Sequence, residues 1–157
     1  MARFNRKGVT KILIADTIAS ASYLPTAAEL AGATDYTKKI AAVEGFAIEN
    51  QEIETPDMES TFVAKIPGDD SAADSSLTLY EDDVDDDIET DLAKGTTCFA
   101  IICRKGKTPG SKGMDVHPVR VASNSPAITA DNEAAKITVK FSIIDRPLLN
   151  ATVPTGP

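Results

Sequence analysis

The chain is 157 residues long, 42% apolar and 25% charged, and 24 acids against 16 Lys and Arg leave a formal net charge of −8. This fits one globular domain whose core needs no metal or disulfide, and it excludes a disordered chain. The charge is segregated: between Glu44 and Asp91 seventeen acids face one base, Lys65, so phosphates would repel that third of the chain and it cannot coat nucleic acid.

Strand patterns dominate along the chain. Gly8 to Ala15 is a compact β-branched run. The basic start holds an apolar stretch only from Ile12 to Ala15, too short for a signal-peptide core or a membrane span, which implies synthesis in a cytoplasm. Thr26, with Glu29 three residues on, predicts a capped short helix. Ile40 to Asn50 reads as a strand with Phe46 and Ile48 on one face and Ala47 and Glu49 on the other. Glu52 to Ile66 is a second extended stretch, with Phe62, Ala64 and Ile66 sharing a face. Residues 55–73 mix acids, Pro56, Pro67 and small residues with isolated Met58, Phe62 and Ile66. A long loop or hairpin of that kind in a compact domain is usually functional.

Ser75 to Tyr80 alternates through Leu77 and Leu79. Asp82 to Lys94 predicts a helix, with Val84, Ile88 and Leu92 on one face, acids in its first turn and Lys94-Gly95 at its end. Thr97 to Arg104 is apolar on both faces, as a central strand is. Cys98 and Cys103 lie five apart in it, so they face opposite ways and should be two reduced thiols. Met114 to Ser123 alternates through Val119 and Val121. Lys136 to Asp145 is the cleanest alternation, with Ile137, Val139, Phe141 and Ile143 facing in. Residues 151–157 read as a weakly folding tail that lies on something else or stays free. About seven strands and two helices suggest a β-sandwich or barrel with a helix packed on it.

No motif argues for catalysis, a metal or a cofactor. Asp83, Asp85 and Asp87 match the first positions of a calcium loop, but Ile88 stands where Gly is required and Lys94 where Glu is required. Gly106-Lys107-Thr108 lacks the earlier Gly of a phosphate loop, because Ile101 stands there. His117 is the only histidine and has no partners for a triad or a zinc site. Asn150-Ala151-Thr152 fits a glycosylation acceptor but follows no secretory signal. With eight aromatics and no Trp, little is available for stacking on sugars or single-stranded bases.

Five stretches, in this order, resemble one family: RKGVTKILIADTIA, then PTAAELAGATDYTKKIAAVEGFAIENQEIETPDMESTFVAKIPG, DSSLTLYEDDVDDDIETDLAKGT, MDVHPVRVASNSPAI and ITVKFSI. They are similar to the major tail proteins, or tail tube proteins, of long-tailed bacteriophages, and most similar to the branch found in phages of actinobacteria. The likeness runs from about residue 6 to 154. It implies a mainly β fold: a two-sheet β-sandwich or barrel with one flanking α-helix and a long hairpin loop. It implies a single domain over 1–157, with an N-terminal arm of about 1–7, a projecting loop of about 55–73 and a C-terminal tail of about 147–157. It further implies a virion protein whose six-membered rings stack head to tail into a hollow tube for double-stranded DNA. The DNA would pass without specific binding, no membrane would be involved, and tape-measure and tail-end proteins would be partners. On this reading Pro56, Asp57, Met58, Phe62, Lys65 and Ile66 form the self-assembly loop, and Glu49 and Gln51 are candidates to face the lumen. The family carries no active site. The rival expectation is a β-sandwich virion module that makes no tube, such as a capsid-decorating or fibre-associated protein.

Overall fold

The structure, a computed structural model, describes residues 2–155. Met1, Gly156 and Pro157, at the ends of the expected arm and tail, lie outside the described residues. In chain order the elements are β1 (Lys11–Ala15), α1 (Ala27–Gly32), β2 (Thr34–Asp35), a 3-10 turn (Thr37–Lys39), β3 (Ile40–Glu44), β4 (Ile48–Asn50), β5 (Ile53–Thr55) and β6 (Ala64–Ile66). There follow β7 (Asp70–Ala72), β8 (Ser75–Tyr80), α2 (Asp87–Asp91), β9 (Thr97–Cys103), β10 (Lys112–Ala127), β11 (Lys136–Ile143) and β12 (Leu148–Thr152). The architecture is mainly β with short helices, as the sequence leads one to expect.

The main sheet has eight strands in the order β2-β1-β9-β10-β11-β8-β3, with β12 also on β10. Its spine is β10, 16 residues long. One edge of β10 pairs with β9 from Met114 to Arg120. The other edge pairs with β12 from Lys112 to Val116 and then with β11 from Val119 to Ala127. The supposed tail is thereby tied down: β12 is a strand, and Val153 beyond it is buried, its N–H donating to the Ser111 carbonyl at 2.7 Å.

Side-chain alternation sorts the core into two clusters. Ile12, Ile14, Cys98, Ala100, Val119 and Val121 join Leu77, Leu79, Ile137, Val139 and Phe141 in one, closed by Tyr36 and by Ile88 and Leu92 beside α2. Leu13, Ala15, Ile101, Cys103, Met114 and Val116 point the other way and meet Ile18, Leu30 of α1 and Val153. Strands β1, β9 and the first half of β10 are thus buried on both faces, which is why they read as continuous apolar runs. Each buried Leu or Ile contributes about 1.5–3 kcal/mol. The two cysteines are free and buried on opposite faces, as the odd spacing requires. Burial pushes both thiols up to about 11.

Helix α1 has the expected capping box: the Glu29 N–H donates to Thr26 Oγ1 at 3.1 Å, and the Thr26 N–H donates to Glu29 Oε1 at 3.0 Å. Helix α2 is much shorter than the expected span of Asp82 to Lys94. The Asp82 carboxylate accepts from the Val84 and Asp85 N–H groups, a local turn that competes with helix at the acidic start. Val84 is consequently 85% exposed, and only Ile88 and Leu92 of the expected apolar face are buried. The Asn124 amide donates to the Ile88 and Leu92 carbonyls and fastens the helix end to β10. The expected strand from Ile40 to Asn50 is also broken. Gly45 and Phe46 both take positive φ, +82° and +57°, and separate β3 from β4.

Candidate functional site

The segment from 48 to 72 forms a hairpin in two steps. In the lower step β4 pairs with β7, setting Ile48 against Ala72, Glu49 against Ser71 and Asn50 against Asp70. In the upper step β5 pairs with β6, setting Ile53 against Ile66, Glu54 against Lys65 and Thr55 against Ala64. Asn50 holds the joint: its Nδ2 donates to the Gly68 carbonyl at 2.9 Å, and its Oδ1 accepts from the Gly68 N–H at 3.1 Å. At the tip the Asp57 carboxylate accepts from the Glu59 and Ser60 N–H groups, and Ser60 Oγ accepts from the Phe62 N–H. These bonds order the hairpin from within, in the manner of side-chain-capped turns.

The apolar residues of the upper step and tip belong to neither core cluster. Ile53, Met58, Phe62, Val63 and Ile66 are all exposed, Phe62 to 76%. The structure therefore brings Pro56, Asp57, Met58, Phe62, Lys65 and Ile66 together on one exposed element. Lys65 lies 3.6 Å from Glu52, a solvent-exposed pair that adds little stability. A cluster of exposed apolar side chains on an ordered support is the usual mark of a docking element. Glu49 and Gln51 sit on the lower step, both exposed, with the Gln51 N–H donating to the Asp69 carbonyl.

The base of the hairpin is clasped by groups far apart in the sequence. The Phe46 N–H donates to Ser75 Oγ at 2.9 Å, and Ser75 Oγ donates on to the Ala73 carbonyl. The Phe46 ring meets His117 edge-on at 5.3 Å and lies 6.1 Å from Phe141. These contacts offset the 1–3 kcal/mol that a positive φ costs a bulky residue. On the far side Arg146 pairs with Asp70 at 2.9 Å, across a cleft of about 270 Å³ lined by Ile48, Ser71, Ile143 and Pro147. The Asn50 amide, then Arg146, hold the Asp70 carboxyl below its usual range. A glycine followed by an aromatic inside a strand pattern was the available signal for this break.

His117 is a core residue, 1% exposed, and its Nδ1 has no hydrogen-bond partner. Desolvation lowers its pKa from the ordinary 6.5, with the nearby Asp115 charge opposing. The unfolded chain therefore binds a proton more readily than the folded one. The neutral ring's contribution is complete above about pH 6.5 and is lost as pH falls through the lower folded value. Urea midpoints are expected to drop between pH 7.5 and 5.5, and to drop less in His117→Leu. An equal drop in both proteins would reject this role.

Among the described residues no group of three or more His, Cys, Asp or Glu is placed to hold a metal ion. No helix among them is long and apolar enough to cross a membrane.

Residues 1–156 match the model of a family described as phage tail tube protein. No curated protein matches the chain. Among solved structures, the sheath/tube terminator of PVC, an extracellular contractile injection system, is 12% identical, with 96% of this chain and 99% of that one covered at a TM-score of 0.65. A chain of the anti-feeding prophage tube-terminating cap is 14% identical, with 97% and 94% covered at 0.61. A chain from the virion of a native gene transfer agent particle is 15% identical, with 95% and 100% covered at 0.56. At such identities the likeness is one of fold.

Proposed function

The chain belongs to the phage tail tube protein family, and from that premise we propose that six copies close into a ring and that rings stack head to tail into a hollow tube delivering double-stranded DNA. The protein is a structural component of the virion tail and not an enzyme. The observation that carries the proposal is the hairpin from 48 to 72, whose backbone is satisfied internally while its apolar residues face solvent. Such an element is stable unbound and gains by docking on another copy through Pro56, Asp57, Met58, Phe62, Lys65 and Ile66. A contact between two different surfaces of the same chain closes into rings or extends into filaments. Ring closure would also cover the open edges of the main sheet at β2 and β3.

Six copies of the chain's −8 charge would surround the bore. An acidic lining repels phosphates, so the duplex slides without sticking. Glu49 and Gln51 are the residues we assign to that lining. Tape-measure and tail-end proteins would complete the tail, the source would be a phage of actinobacteria, and the chain would be made in the cytoplasm of the host. Negative-stain microscopy of the purified protein is expected to show stacked hollow rings. Compact particles of a single size would favour a capsid-decorating or fibre-associated module instead.

A further inference from the structure

We infer that the surface receiving the hairpin is the basic end of a second copy's body, where the N-terminal turn meets the turn between β9 and β10. This rests on the proposed association of copies through two different surfaces, and it adds which surface receives. Besides Glu49, assigned to the bore, the hairpin holds six acids, Glu52, Glu54, Asp57, Glu59, Asp69 and Asp70, against Lys65. Among the described residues its ion pairs are Lys65 with Glu52, internal to the hairpin, and Asp70 with Arg146 at the base. The carboxylates at the tip thus have no match in their own body.

The body gathers the opposite charge at one place. The Arg6 carbonyl accepts from the Val9 and Thr10 N–H groups, closing a turn. Thr10 Oγ1 donates to the Arg104 carbonyl at 2.9 Å, which seats this turn on the end of β9. Arg6, Lys7, Lys105 and Lys112 are exposed there, with Lys107 half-buried among them. Of the nearby acids, Asp115 pairs with Arg104 at 2.9 Å, and Asp35 feels the charges of Lys107 and Lys11. The surface is apolar as well as basic, since exposed Phe4 lies under the Arg6 guanidinium at 5.9 Å. It therefore offers both halves of what the hairpin lacks.

A second exposed apolar group, Tyr80, Val84 and Ile128, lies at the opposite end of β10. It adjoins Glu81, Asp82, Asp83, Asp85 and Asp86, so an acidic hairpin docking there would meet like charge. Charge complementarity selects the basic end, because like-charge contact penalises the wrong surface.

The test is a charge swap at exposed positions, read as the concentration at which tubes sediment. The triple variant Lys7→Glu, Lys105→Glu, Lys112→Glu is expected to raise that concentration about tenfold or more with unchanged circular dichroism. The hairpin variant Glu54→Lys, Glu59→Lys, which spares the tip turn held by Asp57, should do likewise, and combining all five substitutions should restore most of the loss. Wild-type assembly by the body triple, or no restoration by the combination, would overturn the assignment and leave the tube reading intact. A wild type that never associates would overturn both. A body triple that assembles normally but loses retardation of duplex DNA would make the surface a nucleic-acid contact and also overturn the assignment.

Discussion

Replacing residues 56–63 with a two-residue Asn-Gly turn is expected to yield a folded chain that sediments as a monomer and forms no tubes. Thr55 and Ala64 are register partners, so a two-residue turn of the type that suits a hairpin's twist can join them without altering the ladder below. Everything removed is exposed, so urea stability should stay within about 0.5 kcal/mol of wild type. The change removes Met58, Phe62 and Val63. Truncating a central aromatic anchor commonly costs about 2 kcal/mol or more of binding, and here three apolar groups go together. A rise of at least thirtyfold, or roughly 2 kcal/mol, in the concentration needed for assembly is the expected reading. Sedimentation velocity and negative-stain microscopy measure it, and wild-type tubes from this variant would remove the hairpin from the assembly mechanism.

The second large effect is expected from Gly45→Ala. A Cβ at this position would lie 2.1 Å from the Asp74 carbonyl oxygen and 2.7 Å from the Ser75 Cα, both backbone atoms, and φ is +82°. The left-handed conformation alone costs an L-residue roughly 1–2 kcal/mol. Relieving the clash must push away the backbone that carries Ser75, whose hydroxyl holds Phe46 against His117 and Phe141. A loss of about 3 kcal/mol or more in urea unfolding is expected, together with faster hydrogen exchange along β3 and β8. Gly68→Ala is the matched comparison. Its Cβ would lie equally close, 2.1 Å from the Gln51 carbonyl, but at the joint of the exposed hairpin. It should damage assembly and barely move the global transition. Equal stability losses in the two variants would contradict the separation of clasp and core.

What the sequence disclosed depended on whether burial followed a simple period. Strand β11 was legible because Ile137, Val139 and Phe141 alternate strictly with exposed or half-buried neighbours. Strand β9 was legible for the opposite reason, being apolar on both faces, and the opposed cysteines followed from its geometry. The exposed apolars of the hairpin stood out because nothing in the local pattern required them. Features set by a single dihedral or a distant partner did not show. Two positive φ angles break β3 from β4, yet periodicity ran on through them. The acidic start of α2 satisfied every local helix signal and was overridden by the Asp82 turn. Strand β12, LLNAT, has no alternation and bends at Asn150, which takes a φ of +58°, so only its partner β10 identifies it. The clasp of Phe46, Ser75 and His117 joins residues up to 71 positions apart, and no short window contains it.

The length of β10 has a consequence for any polymer built from this chain. One strand begins in the basic turn at Lys112, passes His117 under the root of the hairpin and runs on to Ala127, with bulges where its pairing to β12 and β11 shifts register. The offset between the hairpin and the basic turn within one subunit is therefore set by backbone ladders, their bulges included, and not by side chains that can drift. In a linear array, small angular errors at each joint add up as a random walk, so the straightness of the whole reflects the stiffness of the single unit. A strand that spans the subunit confines those errors to the contacts between copies, and the array bends no more than its joints allow.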